Sequence, residues 1–326
     1  MKLHQTRRAL LAALLLGAAL PAPAQAQRPW PERPITLVVP FGPGGIADLT
    51  ARSVAQAMSA ALKVPMIIDN KPSAGSIVGS AAVAQAAPDG YTLLLMSNAN
   101  AVSAGLFKKL PFDVQKDFAP VGLLGVFDLA LFVNGDAKLK SVRELLDQAR
   151  AQPGKLTLGT IAVGSTQNLS AELFKSRTGI DALIVPYKSS PALLTALRAG
   201  EIDAAFEILG PMLPQLQAKA VRALAVSSDR RFAALPDVPT MREAGVADYN
   251  VASWNALAAP AKTPAAVINQ LNAAANEALK SPAVQQRLLA LGVRAQGGTP
   301  QQLQALLAAE IRHWGEVIRA AKIEPE

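Results

Sequence analysis

The alternation of apolar and polar positions predicts strands and helices in turn along most of the chain. Residues 35–39 form a short β-branched run that is typical of a buried strand. In residues 51–62 apolar side chains recur every three or four positions, which predicts an amphipathic helix. Similar patterns alternate through residues 64–96 and 141–226. This order favours an α/β fold in which mainly parallel sheets are flanked by helices.

Two further apolar stretches interrupt this alternation and predict two lobes. Residues 121–133 are apolar except for two glycines and Asp128, and residues 251–257 provide a second stretch of this kind. Both are interpreted as strands that cross between lobes. We therefore expect residues 27–126 and 253–326 to form one lobe and residues 127–252 the other. The crossing strands act as the hinge, and a cleft lies between the lobes.

A glycine-rich turn joins the first strand to its helix. Gly42, Gly44 and Gly45 lie within four residues, and glycine permits positive φ and close approach to another molecule. The first N–H groups of the following helix have no intrahelical partner, so with the helix dipole they favour an anion without any cationic side chain. Residues 164–168 form a second, polar turn. Because ligands of such sheets bind beyond the carboxyl ends of the strands, both turns are expected at the cleft.

The residues predicted to contact a ligand lie mostly in these turns and beyond other strand ends. The second turn presents four consecutive hydrogen-bonding side chains, and capping of its helix accounts for only one of them. The candidate ligand contacts are Phe41, Gly42, Pro43, Gly44, Gly45, Ala47, Asp48, Ser97, Asn98, Ser165, Thr166, Gln167, Asn168, Pro186, Tyr187, Lys188, Asp203 and Glu207.

For several of these side chains a second interpretation stays open. Asp48 either contacts the ligand or favours the dipole of its own helix. Phe41 either covers an apolar part of the ligand or packs in the core, and Lys188 either binds an anion or is solvated. Asp203 and Glu207 share one face of a predicted strand, where they either receive a ligand amine or face solvent.

Composition and the amino terminus predict an exported soluble protein. The chain has 51% hydrophobic and 17% charged residues and no cysteine, so it has no disulfide, thiolate metal site or lipid-attachment cysteine. Residues 1–26 resemble a signal peptide, with Lys2, Arg7 and Arg8 before a short apolar run and a small-residue cleavage site at Ala26. The general secretory route fits better than the twin-arginine route, and a periplasmic location follows. Removing three basic residues leaves 29 against 24 acidic, or +5, which suits anionic solutes without the dense basic block of nucleic-acid binders.

The sequence offers little for catalysis. His4 and His313 are the two histidines, which is too few for a triad or a histidine metal site, so neither an enzyme nor a metal or other cofactor is expected. Residues 42–47 fit a loose dinucleotide fingerprint, with Asp69 near the position of a ribose-binding acid. Pro43 stiffens that loop, which counts against pyrophosphate binding. A dinucleotide enzyme therefore remains only a weak alternative.

Several motifs, in order along the chain, resemble the Bug family. They include residues 40–48, 70–75, 89–94, 164–169, 185–188, 224–228, 236–240 and 254–260. This family comprises the extracytoplasmic solute receptors of tripartite tricarboxylate transporters. In many members a histidine stands where this chain has Asn168.

The resemblance implies a two-lobed periplasmic-binding-protein fold of type II-like architecture. It also implies that a small carboxylate binds between residues 41–48 and 164–168: a dicarboxylate or tricarboxylate, an acidic amino acid or an aromatic acid. The implied partner is an inner-membrane permease of the tripartite tricarboxylate type, with the receptor itself expected as a monomer. A sensor module that presents the carboxylate to a signalling partner is the main alternative.

Overall fold

The computed structural model describes residues 30–325, and those from Arg33 onward belong to one unit. Its strands are β1 (Ile35–Val39), β2 (Met66–Asn70), β3 (Thr92–Ser97), β4 (Phe118–Asn134), β5 (Leu156–Ile161), β6 (Ala182–Tyr187), β7 (Ala204–Ile208), β8 (Val221–Val226), β9 (Ala252–Pro260) and β10 (Val293–Ala295). Its α-helices are α1 (Ile46–Leu62), α2 (Ile77–Ala84), α3 (Asn98–Leu106), α4 (Val142–Ala151), α5 (Thr166–Thr178), α6 (Ser190–Ala199), α7 (Leu209–Gln217), α8 (Ala265–Lys280), α9 (Pro282–Ala290) and α10 (Pro300–Ala320).

The strands form one continuous sheet in the order β2-β1-β3-β9-β4-β7-β5-β6, and β8 and β10 also pair with β4. The outer strands are parallel: β1 pairs with β2 and β3, and β5 with β6 and β7. The pairs made by β4 and β9 are antiparallel. The α/β prediction is confirmed, with the difference that the strands in the middle of the sheet run against their neighbours. They do so because the chain leaves one half along β4 and returns along β9.

β4 is the strand that connects the two halves of the sheet. Its residues as far as Asp128 pair with β9, and those from Leu129 onward pair with β7 and β8. Ser227 fastens the chain at this transition. Its buried hydroxyl accepts from Leu129 N, and its single proton lies between the carbonyl oxygens of Leu129 and Val251, so it joins β4 to the segment that leads into β9. The change of pairing partner lies close to the predicted lobe boundary at residues 126 and 127.

Apolar packing continues across the two halves on one face of the sheet. Trp254 on β9 and Trp314 on α10 belong to the same cluster as Phe174, Phe206 and Tyr249, whose rings stack or meet edge to face. The terminal helix α10 packs on α3 and β4 and also reaches α5. A second cluster lies beneath α6 and α7.

Two helices were not predicted from the pattern. Ser97, predicted as a strand end, caps α3: its hydroxyl accepts from Ala99 N while its own N–H donates to Asn100 Oδ1. The helix α7 contains Pro211 and Pro214, which obscure its signal because proline is rare inside helices.

In residues 30–325, no helix is both long enough and apolar enough to cross a bilayer. The predicted signal peptide, residues 1–26, lies outside the described residues.

Candidate functional site

The turn between β1 and α1 presents backbone donors to solvent. Gly42, Pro43, Gly44 and Gly45 are exposed, and Gly44 has a φ of +83°, a conformation that favours glycine. Gly45 is the N-cap of α1 and supplies no side chain to cap it. The backbone N–H groups of Ile46 and Ala47 make no hydrogen bond within residues 30–325. The turn therefore has the free donors that an anion requires.

Asp48 holds this turn in place. It is 1% exposed; its Oδ2 accepts from Gly44 N and Arg52 Nε, each at 2.9 Å, and its Oδ1 accepts from Asn70 Nδ2 at 3.0 Å. Burial alone would raise the pKa of Asp48, but the hydrogen bonds from Arg52, Gly44 and Asn70 together lower it below the usual value. Both carboxylate oxygens are thus occupied within the protein. The structure favours a positioning role for Asp48 over the ligand contact proposed from sequence.

Asn70 extends this network, and its role was not found from the sequence. Its Nδ2 also donates to the carbonyl oxygen of Phe41 at 3.0 Å, so one side chain ties both ends of the turn. The register that pairs Val39 with Asn70 puts it there, and that register is a tertiary feature. The four-residue spacing of Asp48 and Arg52, in contrast, is a visible signal for a helical ion pair.

The turn between β5 and α5 repeats the same construction. Gly164 has a φ of +76°, and its N–H donates to Asn168 Oδ1 at 3.1 Å, as Gly44 N donates to Asp48. Ser165 caps the helix by accepting from Asn168 N at 3.1 Å. Asn168 therefore positions the second turn as Asp48 positions the first. Here an amide replaces the carboxylate, so the second turn carries no charge.

The two turns lie where the halves of the molecule touch. Asn98 Nδ2, at the start of α3, donates to Thr166 Oγ1 at 2.9 Å, and Asn98 Oδ1 accepts from Trp314 Nε1 at 2.8 Å. Ile46, the first residue of α1, faces Gly210 at the start of α7, because an ideal Cβ on that glycine would lie 3.2 Å from Ile46 Cδ1. Each predicted turn thus has a neighbour from the other half: Asn98 beside Thr166, and Gly210 beside Ile46.

Glu207 lies beneath the second turn. It is fully buried, and its Oε1 accepts from Gln167 Nε2 and from Ile208 N, both at 2.7 Å. Burial raises the pKa of Glu207, and the hydroxyl of Ser190 together with the Ile208 and Gln167 donors only partly offsets this. The interpretation of Glu207 as a solvent-facing acid is wrong.

The remaining predicted contacts are less central. Pro186, near the end of β6, and Lys188, just beyond it, are exposed, and Tyr187 is half-buried against the apolar cluster under α6 and α7. Asp203 precedes β7, where its Oδ2 accepts from both the N–H and the hydroxyl of Thr157. Four residues of extended chain separate it from Glu207, roughly 13 Å. The two acids have different partners, Thr157 for Asp203 and Gln167 with Ile208 for Glu207.

The chemistry of this region is that of hydrogen bonding, without a catalytic set. No group of three or more histidine or acidic side chains within residues 30–325 is arranged to hold a metal. His313 packs against the ring of Trp314. Asp69, the acid considered for ribose binding, pairs instead with Lys71 Nζ at 3.0 Å. Neutral donors in two matched turns are suited to holding a small anion.

Comparison with known proteins agrees with this geometry. The family model described as the tripartite tricarboxylate transporter family receptor matches residues 50–323. Protein BugT of Bordetella pertussis is 36% identical over 313 residues, which cover 95% of this chain and 96% of BugT. The R. palustris protein Rpa4515, solved with adipate, is 35% identical with a TM-score of 0.81, over 91% of this chain and 100% of that one. MatC of Rhodopseudomonas palustris, solved with bound malate, is 32% identical with a TM-score of 0.77, over 89% of this chain and 100% of MatC.

These matches confirm the family resemblance and the two-lobed periplasmic-binding-protein fold. They also exclude the dinucleotide enzyme, because the family and its structural neighbours are solute-binding receptors and not enzymes. The chain belongs to the TctC family of tripartite tricarboxylate transporter receptors.

Proposed function

We propose that this receptor captures a small carboxylate, with a dicarboxylate of four to six carbons as the first candidate, in the cleft between the two glycine turns. The observation that carries this proposal is the matched construction of the turns around Gly44 and Gly164. Each turn leaves main-chain donors at a helix start, and side chains from each half meet beside them. Adipate and malate in the related structures support this ligand class.

The proposed contacts are the N–H groups of residues 45–47 and 166–167, with Phe41, Ser97 and Asn98 as neighbouring walls. Arg52, the cation that bonds to Asp48 behind the first turn, is already paired, so recognition is proposed to depend on neutral donors. Such a site selects an anion by its shape and hydrogen-bonding pattern. The affinity of the site for the anion should therefore depend little on ionic strength. Ligand length would then be set by the distance between the turns.

The cellular role follows from the family. Receptors of this family are periplasmic, and we propose that this chain is exported with residues 1–26 as its signal peptide. It would function as a monomer with lobes of residues 27–126 plus 253–326 and 127–252. The loaded receptor would deliver its carboxylate to an inner-membrane permease of the tripartite tricarboxylate type.

Thermal melting with a panel of carboxylates tests the proposed ligand class. The panel comprises adipate, malate, succinate, citrate, glutamate and benzoate, with ATP and NAD as controls. A ligand at a hundred times its Kd stabilises the native state by about 2.7 kcal/mol. In a chain of this size that raises Tm by roughly 5 °C. A rise with at least one carboxylate and with neither nucleotide supports the proposal, whereas a rise with nucleotides alone overturns it.

A further inference from the structure

Glu207 has a buried carboxyl oxygen that no group in residues 30–325 satisfies. Its Oε1 is bound by Gln167 and by Ile208 N, but Oε2 is buried without a hydrogen-bond partner. The hydroxyl of Ser190 lies near the carboxyl group, although it makes no hydrogen bond of acceptable geometry with Oε2. Buried polar atoms almost always have a partner, so this oxygen is expected to meet a ligand or a water.

The neighbours of Glu207 connect it to the start of α5. Gln167, which binds Oε1, is the second residue of α5 and follows Thr166, which bonds to Asn98 of the other half. Gly210, three residues after Glu207, faces Ile46 at the start of α1. Glu207 therefore lies one hydrogen bond away from the start of α5, the helix that follows the turn proposed to hold the anion.

The hydrogen bonds on Oε1 determine where a proton sits on a neutral Glu207. Oε1 already accepts from two N–H donors at 2.7 Å each, so it is held as the carbonyl-type oxygen. A proton on this carboxyl group must then occupy Oε2, which makes no hydrogen bond within residues 30–325 and becomes an O–H donor.

The surroundings of Glu207 favour this neutral form. Burial raises its pKa, and no cationic side chain among residues 30–325 pairs with it. The titratable groups on the elements packed against β7 pair with other residues or make no ion pair with Glu207. Asp128 on β4 pairs with Arg294 at 3.0 Å, and Glu172 on α5 interacts electrostatically with Lys175. Arg177 on α5 and Arg198 on α6 are exposed and make no ion pair with Glu207.

We propose that Glu207 is a neutral hydrogen-bond donor of the binding site, with its Oε2–H bound to an oxygen of the captured carboxylate. This inference rests on the proposed function and adds a side chain that donates a hydrogen bond to the ligand. A carboxylate is a strong acceptor and pairs well with an O–H donor. An ionised Glu207 would instead repel it.

Binding should then be linked to the proton on Glu207. The bound anion stabilises the protonated form, so the pKa of Glu207 is higher in the complex than in the free protein. Affinity is therefore full below the free-protein pKa and falls as pH rises through it, by at most about tenfold per pH unit. Glu207→Gln keeps one acceptor for Gln167 and one N–H donor for the ligand but does not titrate. Its affinity should change no more than about threefold at low pH and should lack this dependence.

Two readouts on the full mature chain test the inference. The first is the infrared spectrum of protein labelled with ¹³C-glutamate, in which the C=O stretch of a protonated carboxyl group is separate from carboxylate bands. Burial also raises the pKa of Glu172 and Glu310, so the test is the difference spectrum: at neutral pH wild type should show a component of this band that Glu207→Gln lacks. The second is calorimetric titration with adipate and malate between about pH 5 and pH 8.5. Glu201→Gln, which changes an exposed acid just before the same strand, is the matched control and should behave as wild type in both.

The outcomes separate this inference from the proposed function. If carboxylates bind but Glu207→Gln removes no part of the wild-type band, or if wild type and Glu207→Gln share one pH profile, Glu207 is not a neutral donor. A loss above about tenfold for Glu207→Gln at every pH would show that an ionised Glu207 pairs with a donor on the ligand, which also overturns the inference. If the band is present and no carboxylate binds to wild type, the proposed function fails and the inference fails with it.

Discussion

Replacement of Asp48 by alanine should destabilise the protein and impair ligand binding together. The substitution frees Gly44 N and Asn70 Nδ2, each of which now donates to a buried carboxylate. Hydrogen bonds to a charged group contribute about 1.5–3 kcal/mol each. The third partner, Arg52, is half exposed, so solvent screens its pairing and it adds little. Because the exposed turn relaxes and lets the freed donors reach water, we expect a loss of about 2–4 kcal/mol in the free energy of unfolding.

Urea denaturation at several pH values measures this loss. The pKa of Asp48 is lowered in the folded state, so its contribution is fully present above the unfolded value of 3.8 and is lost as pH falls through the folded-state pKa. The difference between wild type and Asp48→Ala should therefore shrink in acid. Asp69→Ala, which removes an acid with an exposed ion pair at the end of β2, is the control and should unfold as wild type does. An Asp48→Ala protein with unchanged urea midpoint and unchanged carboxylate affinity would refute the positioning role.

Three further substitutions probe the turn, the contact between halves and the crossing. Gly42→Val places its Cβ in open space, with no atom within 4 Å, so the free energy of unfolding should change by less than about 0.5 kcal/mol. Calorimetry should show weaker carboxylate binding, and an unchanged affinity would place the ligand elsewhere. Thr166→Val removes the acceptor for Asn98 with little change in side-chain shape, so carboxylate affinity should fall roughly three- to tenfold. X-ray scattering should show a more open ligand-free protein. An unaltered scattering profile together with an unaltered affinity would contradict this prediction. Ser227→Ala removes the buried hydroxyl that joins β4 to the segment before β9, and it should reduce the free energy of unfolding by about 1–3 kcal/mol. A thermal midpoint equal to that of wild type would show that this hydroxyl does not stabilise the junction.

The sequence predicted those features that depend on local chemistry. The β-branched run of β1 and the apolar spacing of α1 are local signals, and both elements form where expected. Ser141 caps α4 by accepting from Glu144 N, as the capping-box spacing suggests. The Glu144 carboxylate accepts instead from Lys140 N, one residue before the expected donor, because the chain enters the helix along a different path.

Features that depend on the register of distant strands could not be predicted. Asn70 reaches the first turn only because it pairs with Val39 across the sheet, so the sequence did not show that Asp48 was already engaged. Asp203 and Glu207 are predicted on one face of a strand, yet Glu207 lies beneath a helix start, whereas Asp203 precedes β7 and bonds to Thr157. The periodicity of a strand gives the face of a side chain and not the depth or neighbours it has there.

A crystal structure of the protein with a carboxylate that raises its Tm tests the central claim most directly. We predict carboxylate oxygens within about 3 Å of main-chain N–H groups in both residues 45–47 and residues 166–167. A carboxylate bound outside these turns, or held there by lysine and arginine side chains alone, would contradict the account.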